Sequence, residues 1–250
     1  MFTVASITPI HVPLPSVSMA KVSHLFRGPV ARGADAYSTP GERLRGRPRR
    51  LLLYLALVLG AWVFTLLDRP IWLAVTTEGL RYKDWWQALR VGGFLPAWFA
   101  IAHCFHMHDR ARGVARPLHR ATLIFLAAAL GGLAAEIVRE VSRRQRPGAE
   151  GIYTFDWFGM GREGLGIGLA SSHAGVAFGG FIMLSWLLPH LRWQFLLLAC
   201  GCAWTRIQSG AHWTTDVYVA VLLSYGVCWL LWKHLGPGSA FALPDPHASR

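Results

Sequence analysis

The chain is expected to fold as an all-α integral-membrane protein, a bundle of six transmembrane helices. Three observations lead there. Of its 250 residues, 53% are hydrophobic and only 15% charged, a balance foreign to most soluble domains. Six apolar runs follow one another, where a helix needs ~20 residues to cross a ~30 Å hydrocarbon core; the second is somewhat short but extendable at either end. The 25 Lys and Arg residues, which set a net charge of +12, crowd into the N-terminal stretch and the loops between those runs. That distribution suits anionic lipid headgroups, phosphate substrates and the positive-inside rule. It does not suit a nucleic-acid face, and no nucleic-acid partner is expected.

Three regions follow from composition. Residues 1–49 are rich in Pro, Gly, Ser and Arg, end in Arg43, Arg45, Arg47, Arg49 and Arg50, and read as a mobile basic tail, either a topology signal or a contact for anionic lipid. Pro9, Pro13 and Pro15 interrupt what a cleaved signal peptide would need as its apolar core, so none is expected. Residues 50–235 form the six-helix membrane domain, and 236–250 a flexible C-terminal tail.

The first span covers Leu51 to Leu67 and is expected to stop at Asp68-Arg69-Pro70. Trp72, Trp85 and Trp86 then fall in a loop at the membrane boundary, where amphipathic rings settle. The second runs from about Val91 to Phe105. His103, His106 and His108 near its end match no zinc-ligand spacing and read as interfacial histidines. The third, about Ala121 to Val138, carries Gly131, Gly132, Ala134 and Ala135, small residues that let membrane helices approach closely. Glu136 near its end needs a cationic partner or exposure to water. Spans four (Ser171 to Leu188), five (Arg192 to Thr205) and six (Val217 to Trp232) complete the set, with Pro189 breaking the fourth. Cys104, Cys200, Cys202 and Cys228 all lie in apolar runs without paired spacing and read as small buried thiols.

Between Arg139 and Asp216, three clusters of phosphate chemistry sit at the ends of these runs. The first is Arg139-Glu-Val-Ser-Arg-Arg-Gln-Arg146-Pro147, the second Ala170-Ser171-Ser172-His173-Ala174, and the third Thr205-Arg206-Ile-Gln-Ser-Gly-Ala-His212-Trp-Thr-Thr-Asp216. Arg139, Arg146 and Arg206 offer planar, permanently charged forks for phosphoryl oxygens. Ser171, Ser172 and the backbone N–H groups that follow open a helix and add neutral donors. His212 lies four residues before Asp216, so on a helix the two would share a face and the carboxylate would fix one ring nitrogen as N–H. By contrast Glu140, Arg143, Arg144, Asp156, Arg162 and Glu163 read as solvated loop charges. A Gly- and aromatic-rich loop, from Tyr153 through Trp157 and Phe158 to Gly168, separates the first two clusters.

Taken together and in order, the clusters resemble the signature of the type 2 phosphatidic acid phosphatase (PAP2) superfamily. That signature is Lys, six residues, Arg-Pro; then Pro-Ser-Gly-His; then Ser-Arg, five residues, His, three residues, Asp. Arg139, Ala170, Ser172 and Thr205 stand where the family has Lys, Pro, Gly and Ser. The resemblance implies a metal-independent lipid phosphate or diphosphate phosphatase with no cofactor. In it His212 is the nucleophile of a phosphohistidine intermediate, Asp216 its orienting partner and His173 the general acid. Arg139, Arg146, Ser171, Ser172 and Arg206 bind phosphate. Six crossings put the three clusters on the face opposite the basic tail, and the short chain and the family resemblance imply a bacterial inner membrane with a periplasmic site. Undecaprenyl diphosphate, phosphatidylglycerophosphate, phosphatidic acid and a lipid A phosphate all remain open as substrates, and the oligomeric state is unreadable. Two other readings stay open: a vanadium haloperoxidase-like enzyme, since vanadate mimics phosphate, and a non-catalytic lipid-phosphate binder or transporter.

Overall fold

The computed structural model describes residues 47–77, 79–148, 154–156 and 166–237, with side chains from residue 52 onward. Most of the basic tail, nearly all of the C-terminal tail, and Tyr153, Trp157, Phe158, Arg162 and Glu163 lie outside the described residues. Among the described residues there are seven α-helices: α1 (Arg47–Val75), α2 (Asp84–Val91), α3 (Leu95–Ala111), α4 (Pro117–Ser142), α5 (Ser172–Leu187), α6 (Arg192–Gln208) and α7 (Thr214–Leu235). The described residues contain no strand, only isolated bridges near Arg144 and Gln145. Six of the helices lie on the six apolar runs, and α2 is the addition.

By length and composition α1, α4 and α7 can each cross a membrane, and the α2–α3 pair, bent by 67°, makes a fourth candidate span if taken as one. The described residues are therefore all-helical, with three or four candidate membrane spans. At 16 residues, α5 is about 24 Å long, and the 17-residue α6 is scarcely longer.

The apolar pattern explains which helix sits where. Helix α5 is apolar on every side, as a helix enclosed on every side must be, and it packs against α4, α6 and α7. Helix α1 touches mainly α7 and leaves Leu52, Leu55, Val58, Leu59, Trp62 and Leu66 exposed. Such a face belongs in lipid.

Neighbouring helices alternate in direction. Asp68 near the end of α1 meets Thr215 at the start of α7, Gly93 before α3 lies against His173 at the start of α5, and Ser142 ending α4 donates to the Leu169 carbonyl just before α5 at 2.7 Å. One end of the bundle thus gathers the ends of α1, α4 and α6 with the beginnings of α3, α5 and α7. At the other end Arg120 pairs with the buried Asp109.

Three sequence expectations need correction. Helix α1 continues through Pro70 to Val75, so Trp72 is helical rather than in a loop. Proline removes one helical hydrogen bond, but contacts with α7 hold both sides of it: Asp68 accepts from Thr215, and Trp72 lies 6.2 Å from Trp213 between ring centroids. Trp86 is buried at 2% exposure and donates from Nε1 to Gln208 Oε1 at 2.8 Å, so it is a packing residue, whereas Trp85 is exposed. Cys202 and Cys228 are buried as expected, but Cys104 and Cys200 are exposed, because apolar runs in a membrane bundle have outward faces too.

The small residues act where α4 and α5 cross. A Cβ added to Gly175 would lie 2.6 Å from the Gly131 carbonyl oxygen. Ser224 on α7 donates to the Gly175 carbonyl at 2.9 Å, tying a third helix to the same point. Inserting a methyl group into such a contact costs about 1–3 kcal/mol. Gly175→Ala should therefore lower the thermal midpoint of the detergent-solubilised protein. Gly226→Ala, on α7 with no atom within 4 Å of the added carbon, should not. Equal behaviour of the two variants would refute close α4–α5 packing.

Candidate active site

Helix α4 ends at Arg143, which adopts left-handed backbone geometry with φ 48°. The next three residues run extended between two flanking segments. Gln145 N–H donates to the Thr154 carbonyl at 2.9 Å, Arg146 N–H to Gly166 at 3.0 Å, and Asp156 N–H to Arg143 at 2.9 Å. In extended backbone, residues two apart share a face, and Arg144 and Arg146 both serve the same site.

Arg144 is buried at 5% exposure. Its guanidinium bonds Oδ1 of Asp216 and lies 3.8 Å from Oδ2 of Asp68. Asp68, itself fully buried, accepts from the Thr215 backbone N–H at 2.7 Å and the Thr215 hydroxyl at 2.6 Å. Two interior carboxylates thus flank one interior cation. The expectation that Arg144 is solvated is wrong, since a buried carboxylate pair requires a cation beside it. Arg143 and Asp156 also interact, through Arg143 Nε to the Asp156 carbonyl at 2.6 Å and an ion pair at 3.5 Å.

The third cluster turns sharply after α6. The Arg206 carbonyl accepts from both Ala211 and His212 N–H at 3.2 Å, and Gly210 takes φ +68° to reverse the chain. His212 therefore lies in this turn, before α7 begins at Thr214, and does not share a helical face with Asp216. The two still meet. Asp216 N–H donates to the Trp213 carbonyl at 3.1 Å, and Trp213 N–H returns a bond to Asp216 Oδ2 at 2.9 Å. That turn brings His212 Nδ1 to 3.3 Å from Asp216 Oδ2 and 3.0 Å from the Gly168 carbonyl.

Both neighbours of Nδ1 are acceptors, so Nδ1 carries the proton. In the neutral ring the lone pair then resides on Nε2. Burial pushes the His212 pKa below the ordinary 6.5; Asp216 opposes that shift, while Arg206 and Arg146 add to it. A neutral, oriented imidazole is a nucleophile in the correct tautomer.

Ser171 caps α5, accepting from Ala174 N–H at 3.4 Å, and its own N–H donates to the Asp216 carbonyl at 3.2 Å. Two of the clusters are thereby joined through backbone. His173, half-buried two residues on, feels the charges of Arg206, Arg90, His212 and Arg146. Arg206 is buried at 8% exposure with no hydrogen-bond partner at Nε. Arg146 donates to the Ile167 carbonyl at 3.3 Å.

The structure thus gathers Arg146, Ser171, His173, Arg206, His212 and Asp216 at one end of the bundle. Ser172 and His173 line a cavity of about 360 Å³ with Gly93, Leu133, Glu136 and Val176. Arg139 is placed differently. It pairs with Glu136 three residues earlier and lies 3.9 Å from Glu140, so the partner expected for Glu136 is this motif arginine.

Sequence reasoning missed Asp68, Arg90 and Arg144. Arg144 carried a usable signal, the Arg-Gln-Arg alternation before Pro147. Asp68 and Arg90 lie far from the clusters in sequence and reach the site only through tertiary packing.

Residues 120–236, which contain all three clusters, match the model of the PAP2 superfamily. No curated protein and no solved structure gives a significant match to the chain.

Two outcomes follow from this geometry. In an NMR titration of labelled histidine, His212 should titrate below 6.5, and Asp216→Asn should move the midpoint lower still by removing what raises it. A midpoint above 6.5 would mean that the carboxylate, rather than burial, dominates. Arg144→Ala strands two buried carboxylates and should reduce stability to denaturant by about 3–5 kcal/mol; an effect under about 1 kcal/mol, the surface range, would show that Arg144 is solvated.

Proposed function

We propose that this chain, whose residues 120–236 are a PAP2-superfamily domain, hydrolyses a lipid phosphate or diphosphate through a phosphohistidine intermediate and without a metal. The observation that carries this reading is the His212 ring. Nδ1 is occupied by Asp216 and Gly168, which leaves the Nε2 lone pair for phosphorus, beside the guanidinium groups of Arg146 and Arg206.

In the first step His212 Nε2 forms a bond to phosphorus as the bond to the leaving oxygen breaks. Arg146 and Arg206 offset the charge on the phosphoryl oxygens, and Asp216 stabilises the ring as it becomes cationic. Backbone N–H groups at the start of α5 supply further donors, with Ser171 and Ser172 at the same helix end. His173 gives a proton to the leaving oxygen. In the second step the same imidazole takes a proton from water, whose oxygen bonds to phosphorus as the P–N bond breaks. Phosphate departs and His212 is restored. Arg139 joins the phosphate only by exchanging Glu136 for substrate.

The reading extends to the membrane. Six helices of alternating direction support six crossings, with α2–α3 as one bent span and α5 and α6 as short ones. Arg110, Arg112, Arg116, Arg120, Arg192 and Lys233 fall at the end away from the site, the pattern expected of a cytoplasmic face. The site then opens on the non-cytoplasmic side, as in a periplasm-facing enzyme of a bacterial inner membrane. Its partners are the lipid phosphate and the surrounding membrane lipids.

The test is release of inorganic phosphate from lipid phosphates by the purified protein in excess chelator. His173→Ala should lower kcat by about 10²–10⁴-fold, with much of the loss recovered on an aryl phosphate whose leaving group needs no proton. His212→Ala should be inactive on both substrates. Activity that survives His212→Ala, or that requires an added metal, would overturn the mechanism. Bromide oxidation on addition of vanadate would replace it with haloperoxidase chemistry, and tight lipid-phosphate binding without turnover would replace it with a binder.

A further inference from the structure

Arg90 lies outside all three clusters and its side chain is exposed, yet its backbone is held beside the site. Helix α2, which it ends, is pinned to α6 beside the third cluster. Trp86 Nε1 donates to Gln208 Oε1 at 2.8 Å, Gln208 Nε2 donates to the Thr77 carbonyl and hydroxyl at 2.8 Å, and the Cys202 thiol lies 3.8 Å from the Arg90 carbonyl. The next turn presses on α5. A Cβ on Gly93 would lie 2.9 Å from both Cβ and the carbonyl oxygen of His173. The backbone of Arg90 is thus fixed three residues from a direct contact with His173.

The Gly93–His173 contact three residues on puts Arg90 on the His173 side of the site, and its charge acts on His173 and Arg206. Other arginines at this end are neutralised: Arg139 by Glu136, Arg143 by Asp156 and Arg144 by Asp216. Among the described residues Arg90, Arg146 and Arg206 have no carboxylate within ion-pair distance, and the guanidinium of Arg90 lies only over the Trp86 ring, at 5.9 Å. Arg206 feels the charges of both Arg90 and Arg146, and three cations grouped in this way suit an anion larger than a single phosphoryl group.

We infer that Arg90, together with His173, binds the leaving group and selects substrates in which that group carries its own phosphoryl charge, lipid diphosphates over lipid monophosphates. The inference rests on the phosphatase reading and names its substrate class. As His212 Nε2 bonds to the terminal phosphorus, the bond to the bridging oxygen breaks and its electron pair stays on that oxygen. The lipid monophosphate leaves with the proton from His173, and Arg90 offsets the charge on its phosphoryl oxygens. A simple lipid monophosphate, with no second phosphorus in its leaving group, instead releases a neutral alcohol, which gives Arg90 nothing to bind.

The experiment compares the full-length wild type with Arg90→Gln and Arg90→Lys in detergent micelles, on a lipid diphosphate and a lipid monophosphate of the same chain. For Arg90→Gln, kcat/KM should fall about tenfold or more further on the diphosphate than on the monophosphate, the value of one lost charge-assisted contact. Arg90→Lys should regain part of that difference. Equal losses on both substrates, or no loss on either, would overturn the inference. A second measurement needs no turnover: inorganic pyrophosphate should raise the thermal midpoint of wild type more than inorganic phosphate does, and Arg90→Gln should abolish the excess. A wild type inactive on both lipids yet showing that Arg90-dependent excess would sink the phosphatase reading and keep the Arg90 site. Equal stabilisation by the two anions would sink the Arg90 site.

Discussion

The Asp216 carboxylate is the constraint on which the rest of the site depends. Taken into the interior, it must have its charge balanced and its lone pairs filled, and each partner comes from a different part of the chain. Arg144 arrives from the turn after α4, Trp213 N–H and His212 Nδ1 from the turn before α7, and the Asp216 backbone carbonyl accepts from Ser171 at the head of α5. Arg144 also links this carboxylate to Asp68 on α1. One residue therefore draws four segments into register, three through its carboxylate and Arg144 and one through its backbone carbonyl. A displacement of any of them would leave either a buried charge or a buried donor without its partner.

Such a network needs a base that does not yield. Beneath it, α5 crosses α4 at Gly131 and Gly175 and meets α7 through Ser224. Lipid offers no hydrophobic drive for helices to associate, so close contact and interhelical hydrogen bonds must hold the bundle. Glycine at the crossing allows the approach, and that approach sets where the heads of α5 and α7 end up. His173 and Asp216, carried near those two helix starts, inherit their spacing from methyl-scale packing one or more turns away.

Much of this was legible in the sequence. Apolar runs located six of the seven helices because a membrane leaves little choice but a helix where backbone polar groups must satisfy themselves. The clusters located the charged end because guanidinium and imidazole groups at span ends have few bland explanations in combination. Short-range reading failed where distant contacts decide. Pro70 looked like a stop, but the contacts of Asp68 and Trp72 with α7 carry the helix past it. Arg144 looked solvated because its partners are 76 and 72 residues away, at Asp68 and Asp216. His212 and Asp216 do meet, though through the turn that opens α7 and not along a helix face. The i,i+4 spacing suggested the right pair for an incomplete reason.

The arginines divide into those the fold has neutralised and those it has left open, and the division follows the chemistry more closely than the motif does. Arg144 is neutralised because its task is to hold a carboxylate still. Arg139 is a motif position, yet Glu136 and Glu140 hold it, so any phosphate it binds must first displace a carboxylate. Arg146 and Arg206 are motif positions without a carboxylate partner among the described residues, and Arg90 joins them from outside the motif. Like charges kept together without a counter-ion disfavour the apo state. The same repulsion is relieved when an anion enters, so the free energy withheld from folding becomes available to binding. A cationic rim left unneutralised above a tightly packed apolar base is the arrangement expected when the anion is a ligand rather than part of the fold.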